Sequence, residues 1–277
     1  GSGVAVSRLR SWGSYPSGNP REVGTLFPLL KVTFLILNLW ITQSHQEPTD
    51  TAPEQTPPVV EVSPVADPLS LLGKPAPALV LNDIDGKSFD LTNFSDEVVV
   101  LEWTLPECRF SRRLYAQHRV VPMIRRWGKE DVKWVSIDSA FYAHPEKIRP
   151  WVEKYSIQHP YLIDVTGLHA EAFGIKISPT YLVVNRGKVV YHGAIDDDVW
   201  GKKLDRQLFL DMAIRDAVAG RAVENPLTRS YGMQIRTRRI EDERRAQIEE
   251  ARKKSTQDRA DEKESDSQQQ STSGGDR

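Results

Sequence analysis

Val98-Val99-Val100-Leu101-Glu102-Trp103 runs into Thr104-Leu105-Pro106-Glu107-Cys108, and then into Arg109-Phe110-Ser111-Arg112-Arg113-Leu114-Tyr115. The first six residues read as a strand with a continuous apolar run, as in a sheet covered on both faces. A short Pro-containing turn follows, and the chain then takes up helical spacing. This places Cys108 at the mouth of the helix. A sulfur there faces free backbone N–H groups and the positive end of the helix dipole, and both favour thiolate over thiol. Arg109 and Arg112 act in the same direction, while Glu107 opposes them. On this reading Cys108 is partly exposed and reactive. The alternative is a lone cysteine serving as a small buried hydrophobe, with Arg112 and Arg113 on an ordinary solvated helix face.

Working outward, residues 70–226 alternate apolar strands with helical patterns. Ala78-Leu79-Val80-Leu81 and Lys87-Ser88-Phe89-Asp90-Leu91 flank Asp85-Gly86, a hairpin signal. Ser111 to Trp127 reads as one helix that Pro122 kinks. Val132 to Ile137 is a second central strand. Pro145 to Tyr155 is a helix with proline in its first turn. Tyr161 to Asp164 is a short strand, and Thr166 to Phe173 a short helix closed by Gly174. Tyr181-Leu182-Val183-Val184 and Lys188-Val189-Val190-Tyr191-His192 form a hairpin across Asn185-Arg186-Gly187. Leu204 to Ala219 is a last helix ending at Gly220. The order βαβ, αβ, ββα predicts an α/β domain: a central mixed β-sheet flanked by helices on both faces.

The ends differ in character. Residues 1–44 read as a signal or membrane-anchor segment. Arg8, Arg10 and Arg21 precede the apolar run Val32 to Ile41, which has the length of a signal h-region and falls short of the roughly 20 residues of a membrane span. A short buried helix is the alternative for this run. Residues 45–69, rich in Pro, Thr and Glu, form a linker with too little apolar surface to fold. Residues 237–277 form a charged, largely disordered tail, helical to about Lys254 through close-range acid–base pairs and polar low-complexity sequence beyond.

Lys and Arg total 37 against 38 Asp and Glu, so overall charge gives no reason to expect a nucleic-acid partner. A single cysteine excludes an internal disulfide framework and a Cys-rich zinc site. The six His show no ligand spacing, and His118 and His192 read as structural. Asp196, Asp197 and Asp198 read as helix caps or solvent-facing acids in preference to a cation site. Trp103 and Tyr181 read as sheet packing. No cofactor and no metal is expected.

The opening Leu72-Gly73-Lys74-Pro75-Ala76-Pro77, the Cys108 run, Ser178-Pro179-Thr180, Gly193-Ala194-Ile195-Asp196-Asp197 and Thr228-Arg229-Ser230-Tyr231-Gly232 stand in an order and spacing that few folds share. Together, residues 70–236 resemble the redoxin branch of the thioredoxin superfamily, which includes alkyl hydroperoxide reductase/thiol-specific antioxidant and ResA/TlpA-like domains. The resemblance implies a thioredoxin-like fold, with Pro179 cis and close to Cys108. It implies that Cys108, Pro179 and Thr180 form the catalytic corner, and that Arg109, Ser111, Arg112 and Ser178 line a substrate groove or stabilise thiolate. Three departures bear on chemistry. Arg109 stands where the family has proline, Ser111 where it has a second cysteine, and Met233 where this sub-branch commonly has a cysteine. Leu101 and Leu105 also occupy the places of the usual peroxiredoxin Pro and Thr. An internal dithiol–disulfide cycle is therefore impossible.

The expectation is a monothiol oxidoreductase that reacts with a disulfide or peroxide and is resolved by an external thiol. Its partners would be a thiol reductant or a disulfide-bearing protein. The N-terminal segment implies an exported, periplasmic or cell-envelope location, with a membrane tether if it is uncleaved. The competing expectation is a redox-inactive thioredoxin-like binding module that has lost its partner cysteine.

Overall fold

The computed structural model describes residues 65–272. The signal or anchor segment and most of the linker expected from the sequence lie outside the described residues. A single helical turn, α1 (Pro68–Leu71), comes first. Ala66 N donates to Glu171 O at 2.9 Å, so the end of the linker region touches the domain. Strands β1 (Val80–Asn82) and β2 (Ser88–Asp90) form the expected antiparallel hairpin. Its turn carries Gly86 at φ +79°, backbone that a side chain disfavours.

The main sheet has β3 (Val98–Trp103) at its centre. On one side β3 pairs in parallel with β4 (Lys133–Asp138), which pairs in parallel with β5 (Tyr161–Ile163). On the other side it pairs antiparallel with β7 (Thr180–Asn185), which continues into β8 (Lys188–Gly193). The mixed sheet follows from the connections. Helical crossovers make the first pairs parallel, and the tight Asn185–Gly187 turn makes the last antiparallel.

Both faces of β3 are covered. Val100, Trp134, Tyr181 and Val183 share one core with Leu114, Tyr115, Ile148, Trp151 and Ile214 from the helices. On the opposite face Trp103 meets Phe173, ring centroids 5.2 Å apart. Burial of these large side chains supplies about 2 kcal/mol each. Trp103 and Tyr181 are fully buried in the sheet, as expected.

Three element boundaries differ from the sequence reading. The expected helix 111–127 is two helices, α2 (Arg109–Ala116) and α3 (Val121–Gly128). Pro122 starts the second rather than kinking one rod, because its missing N–H costs nothing in a first turn. His118 turns the chain between them at φ +52°. Helix α4 (Pro145–Tyr155) matches its expected limits, and α5 (Leu168–Ala172) lies within its own. Helix α6 (Phe209–Val218) begins later than Leu204. The residues before it are held in a loop, with Lys202 N bonded to Asp198 at 2.9 Å and Gln207 N to Asp197 at 2.8 Å.

Near the end of the 70–236 region, β9 (Met233–Gln234) pairs with the two-residue strand β6 (Ile177–Ser178). Helix α7 (Arg238–Thr272) then carries the charged tail and continues past Lys254. Its first turns are tied to the domain by Arg239–Glu171 at 2.7 Å. Farther on, as far as residue 263, it is exposed and stitched by pairs such as Lys253–Glu249 at 2.8 Å.

Candidate functional site

Strand β3 ends against the turn 104–107, and that turn delivers Cys108 to the N-cap of α2. Cys108 N closes the turn on Leu105 O at 3.0 Å. The thiol donates to the carbonyl of Ser178 at 3.0 Å. The Ser178 hydroxyl accepts from Leu105 N at 3.1 Å and lies 3.3 Å from Ser111 Oγ. Cys108, Ser111 and Ser178 thus meet, although nearly seventy residues of chain separate the two sides. The Ser178–Pro179 peptide is cis, as the motif order implied. Thr180 points elsewhere, its hydroxyl donating to Ile177 O at 2.9 Å.

The two arginines of the expected site are exposed and engaged away from the sulfur. Arg112 Nε donates to Pro106 O at 2.6 Å, which braces the turn. The Arg109 guanidinium lies 5.0 Å from the Phe110 ring centre.

Cys108 is 2% exposed, so the expectation of partial exposure is corrected. The residues it adjoins are themselves packed by a segment distant in sequence. Beside the turn, β6 is lined by β9, with Ser178 opposite Met233. Gly232 presses its backbone so close to the Ser178 carbonyl that a Cβ there would overlap it. Tyr231 packs on Phe110 with centroids 6.1 Å apart.

Asp196 and Asp198 are also corrected. They are buried, not solvent-facing. Arg119 reaches Asp196 at 3.1 Å with one nitrogen and Asp198 at 2.9 Å with the other. Asp196 also takes Arg206 at 2.9 Å and the Tyr231 hydroxyl at 2.6 Å. The hub joins the α2–α3 turn, the loop after β8 and the Tyr231 segment that packs on Phe110 and Ser178. His192 is structural as expected, buried with Nε2 3.2 Å from Phe173 O.

Two buried acids near the thiol turn escaped the sequence reading. Glu102 is 0% exposed in the centre of β3. Its Oε2 accepts from Tyr115 Oη at 3.0 Å, Trp134 Nε1 at 2.8 Å and Ser136 Oγ at 3.3 Å, and its Oε1 from Tyr181 Oη at 3.2 Å. Burial outweighs the four donated bonds and pushes the carboxyl up to about 7. Asp138, at the end of β4, is pushed up to about 7, by burial first and by the carboxylates of Glu107 and Asp164 after it. The available signal was a carboxylate inside an otherwise apolar run. A sheet covered on both faces leaves no solvent for such a group.

The site therefore offers one thiol, two neighbouring hydroxyls and no second sulfur within the pair. An internal disulfide cannot form, and any covalent partner comes from outside the chain.

The AhpC/TSA family model matches residues 72–192. A hypothetical protein from Sinorhizobium meliloti 1021 is similar in structure at 25% identity, with TM-score 0.55, over 60% of this chain and 94% of that one. An uncharacterized conserved protein from Geobacillus kaustophilus is similar at 25% identity, with TM-score 0.53, over 60% of this chain and 91% of that one. No curated protein matches the chain.

Proposed function

We propose, for a chain whose residues 72–192 form an AhpC/TSA-family domain of the redoxin branch, that the protein is a monothiol oxidoreductase and Cys108 its reacting group. The observation that carries this reading is the contact of Cys108 Sγ with the carbonyl beside Pro179, 3.0 Å away, at the start of α2. With a hydroperoxide, the Cys108 thiolate attacks the peroxide oxygen and the O–O bond breaks. Cysteine sulfenic acid forms, and the leaving alkoxide takes a proton to become an alcohol. An external thiol then condenses with the sulfenic acid and releases water. A second external thiol cleaves the mixed disulfide and returns Cys108 to the thiol. With a disulfide substrate, the first step gives the mixed disulfide directly. Ser178 and Ser111 hold the turn in register with the sulfur. Pro179 shapes the wall beside it, Thr180 holds the cis-proline turn through its bond to Ile177, and Arg109 and Arg112 set the positive charge of the rim. The charged-then-apolar N-terminal segment and its linker support an exported or membrane-tethered placement.

A second reading is favoured by one observation, the 2% exposure of Cys108. A covered thiol suits a binding module that no longer turns over.

Mass spectrometry after mild peroxide and dimedone treatment separates the two. The monothiol reading expects a dimedone adduct on Cys108 of the native protein. A thiol that reacts only after denaturation removes the monothiol reading and leaves the binding module.

A further inference from the structure

Strand β6 has an unusual neighbourhood. It lies beside the Cys108 turn, it is two residues long, and the strand paired with it is β9. Ile177 faces Gln234 and Ser178 faces Met233, and Ile235 N extends the ladder to Lys176 O at 2.9 Å. The edge nearest the thiol is therefore filled from within the chain. A strand edge without its partner presents a row of unpaired N–H and C=O groups, a template for any extended polypeptide.

The segment that fills it is held at both ends and light between them. At one end Thr228 N bonds to His192 O at 3.1 Å, and Thr228 Oγ1 meets Tyr191 Oη at 2.6 Å. At the other, Ile235 is fully buried and Arg236 O accepts from Phe141 N at 2.8 Å. Between these anchors Met233 is 42% exposed and Gln234 is exposed, so the side chains of β9 bury little. What fixes the middle is the Tyr231–Asp196 bond, the Tyr231–Phe110 contact and the close backbone fit of Gly232.

We propose that β9 is an intramolecular occupant of a polypeptide-pairing edge, and that while in place it keeps extended polypeptide disulfides away from Cys108. The part concerning Cys108 rests on the monothiol reading; the part concerning the edge does not. Once the edge is open, an extended disulfide pairs along β6 and the Cys108 thiolate attacks one of its sulfurs. The S–S bond breaks, a Cys108 mixed disulfide forms, and the second sulfur leaves as a thiolate that takes up a proton. Low-molecular-weight oxidants need no strand pairing, so their rate reports only the exposure of the Cys108 sulfur and serves as the divisor.

The test uses the full chain with two variants. Gly232→Val places a side chain where main-chain atoms of Ser178 stand, so β9 is displaced at its tightest point. Tyr231→Ala removes the hydroxyl bond to Asp196 and the ring contact, and decides the matter if the first variant fails to fold. Melting curves establish that each variant is folded. One readout is fluorescence anisotropy of a labelled peptide copying residues 229–236, added in trans. The other is the rate of mixed-disulfide formation with an extended peptide disulfide, divided by the rate with cystamine. The expected result is peptide binding about tenfold or more tighter in the displaced variant than in wild type, as the competent fraction rises, with a similar rise in the rate ratio. Equal peptide binding by wild type and folded variants, or binding by neither, overturns the proposal. If the variants bind peptide but Cys108 reacts with neither disulfide, the edge stands and the monothiol reading fails.

Discussion

Replacing Glu102 with glutamine should remove a pH dependence that the wild-type fold carries. The carboxyl ionises at about 7 in the folded protein, against an ordinary 4.5 in the unfolded chain. Below pH 4.5 both states hold the proton, and the favourable contribution is complete. Between 4.5 and about 7 the unfolded chain ionises while the folded chain does not, so raising the pH favours unfolding. Above 7 both are ionised and the loss is complete. At about 1.4 kcal/mol per pH unit, that interval corresponds to a loss of about 3 kcal/mol. Glutamine fits the same bonds. Its carbonyl replaces Oε2 and accepts from Tyr115, Trp134 and Ser136, while its NH2 replaces Oε1 and donates to the Tyr181 hydroxyl. Urea denaturation of both proteins from pH 4.5 to 8 provides the assay, read as the difference in unfolding free energy between variant and wild type. Subtraction cancels the titration of groups the two share. The variant should gain about 3 kcal/mol on wild type across the range. Parallel profiles would refute the reasoning, because they would mean that the four donors already hold Glu102 ionised inside the sheet.

Two further outcomes follow from the same kind of argument. Arg119→Ala leaves Asp196 and Asp198 buried without their shared guanidinium and should cost about 3 kcal/mol; Arg119→Lys, which cannot fork to both, should fall between, and a change in the urea midpoint equivalent to less than about 1 kcal/mol would count against the hub. Burial holds His159 at about 3 against an ordinary 6.5. The unfolded chain therefore binds a proton first as the pH falls through 6.5, and stability should drop by an amount on the order of 5 kcal/mol down to about pH 3. His159→Gln should flatten that acid limb in melts between pH 6.5 and 3, and an unchanged limb would show that other groups produce it.

Much of the fold is written locally. The apolar run 98–103, the Asp85-Gly86 turn, the proline at the start of α4 and Gly174 after α5 each act through short-range chemistry. Side-chain period, turn geometry and capping are properties of adjacent residues, so these elements lie where the sequence puts them. The order of motifs also carried the pairing of the Cys108 turn with Ser178-Pro179, because the strands on which they ride are neighbours in this topology. Burial was not legible in the same way. Cys108 is buried against Ser178, seventy positions later, Asp196 is neutralised by an arginine in the α2–α3 turn, and Glu102 draws donors from three different elements. Sequence periodicity tells which face a side chain takes, and tertiary structure decides what lies against that face. The sequence by itself determined the strand–turn–helix unit and its single sulfur. Tertiary structure decided that the sulfur is closed off, since solvent access depends on contacts between distant segments that no local pattern records.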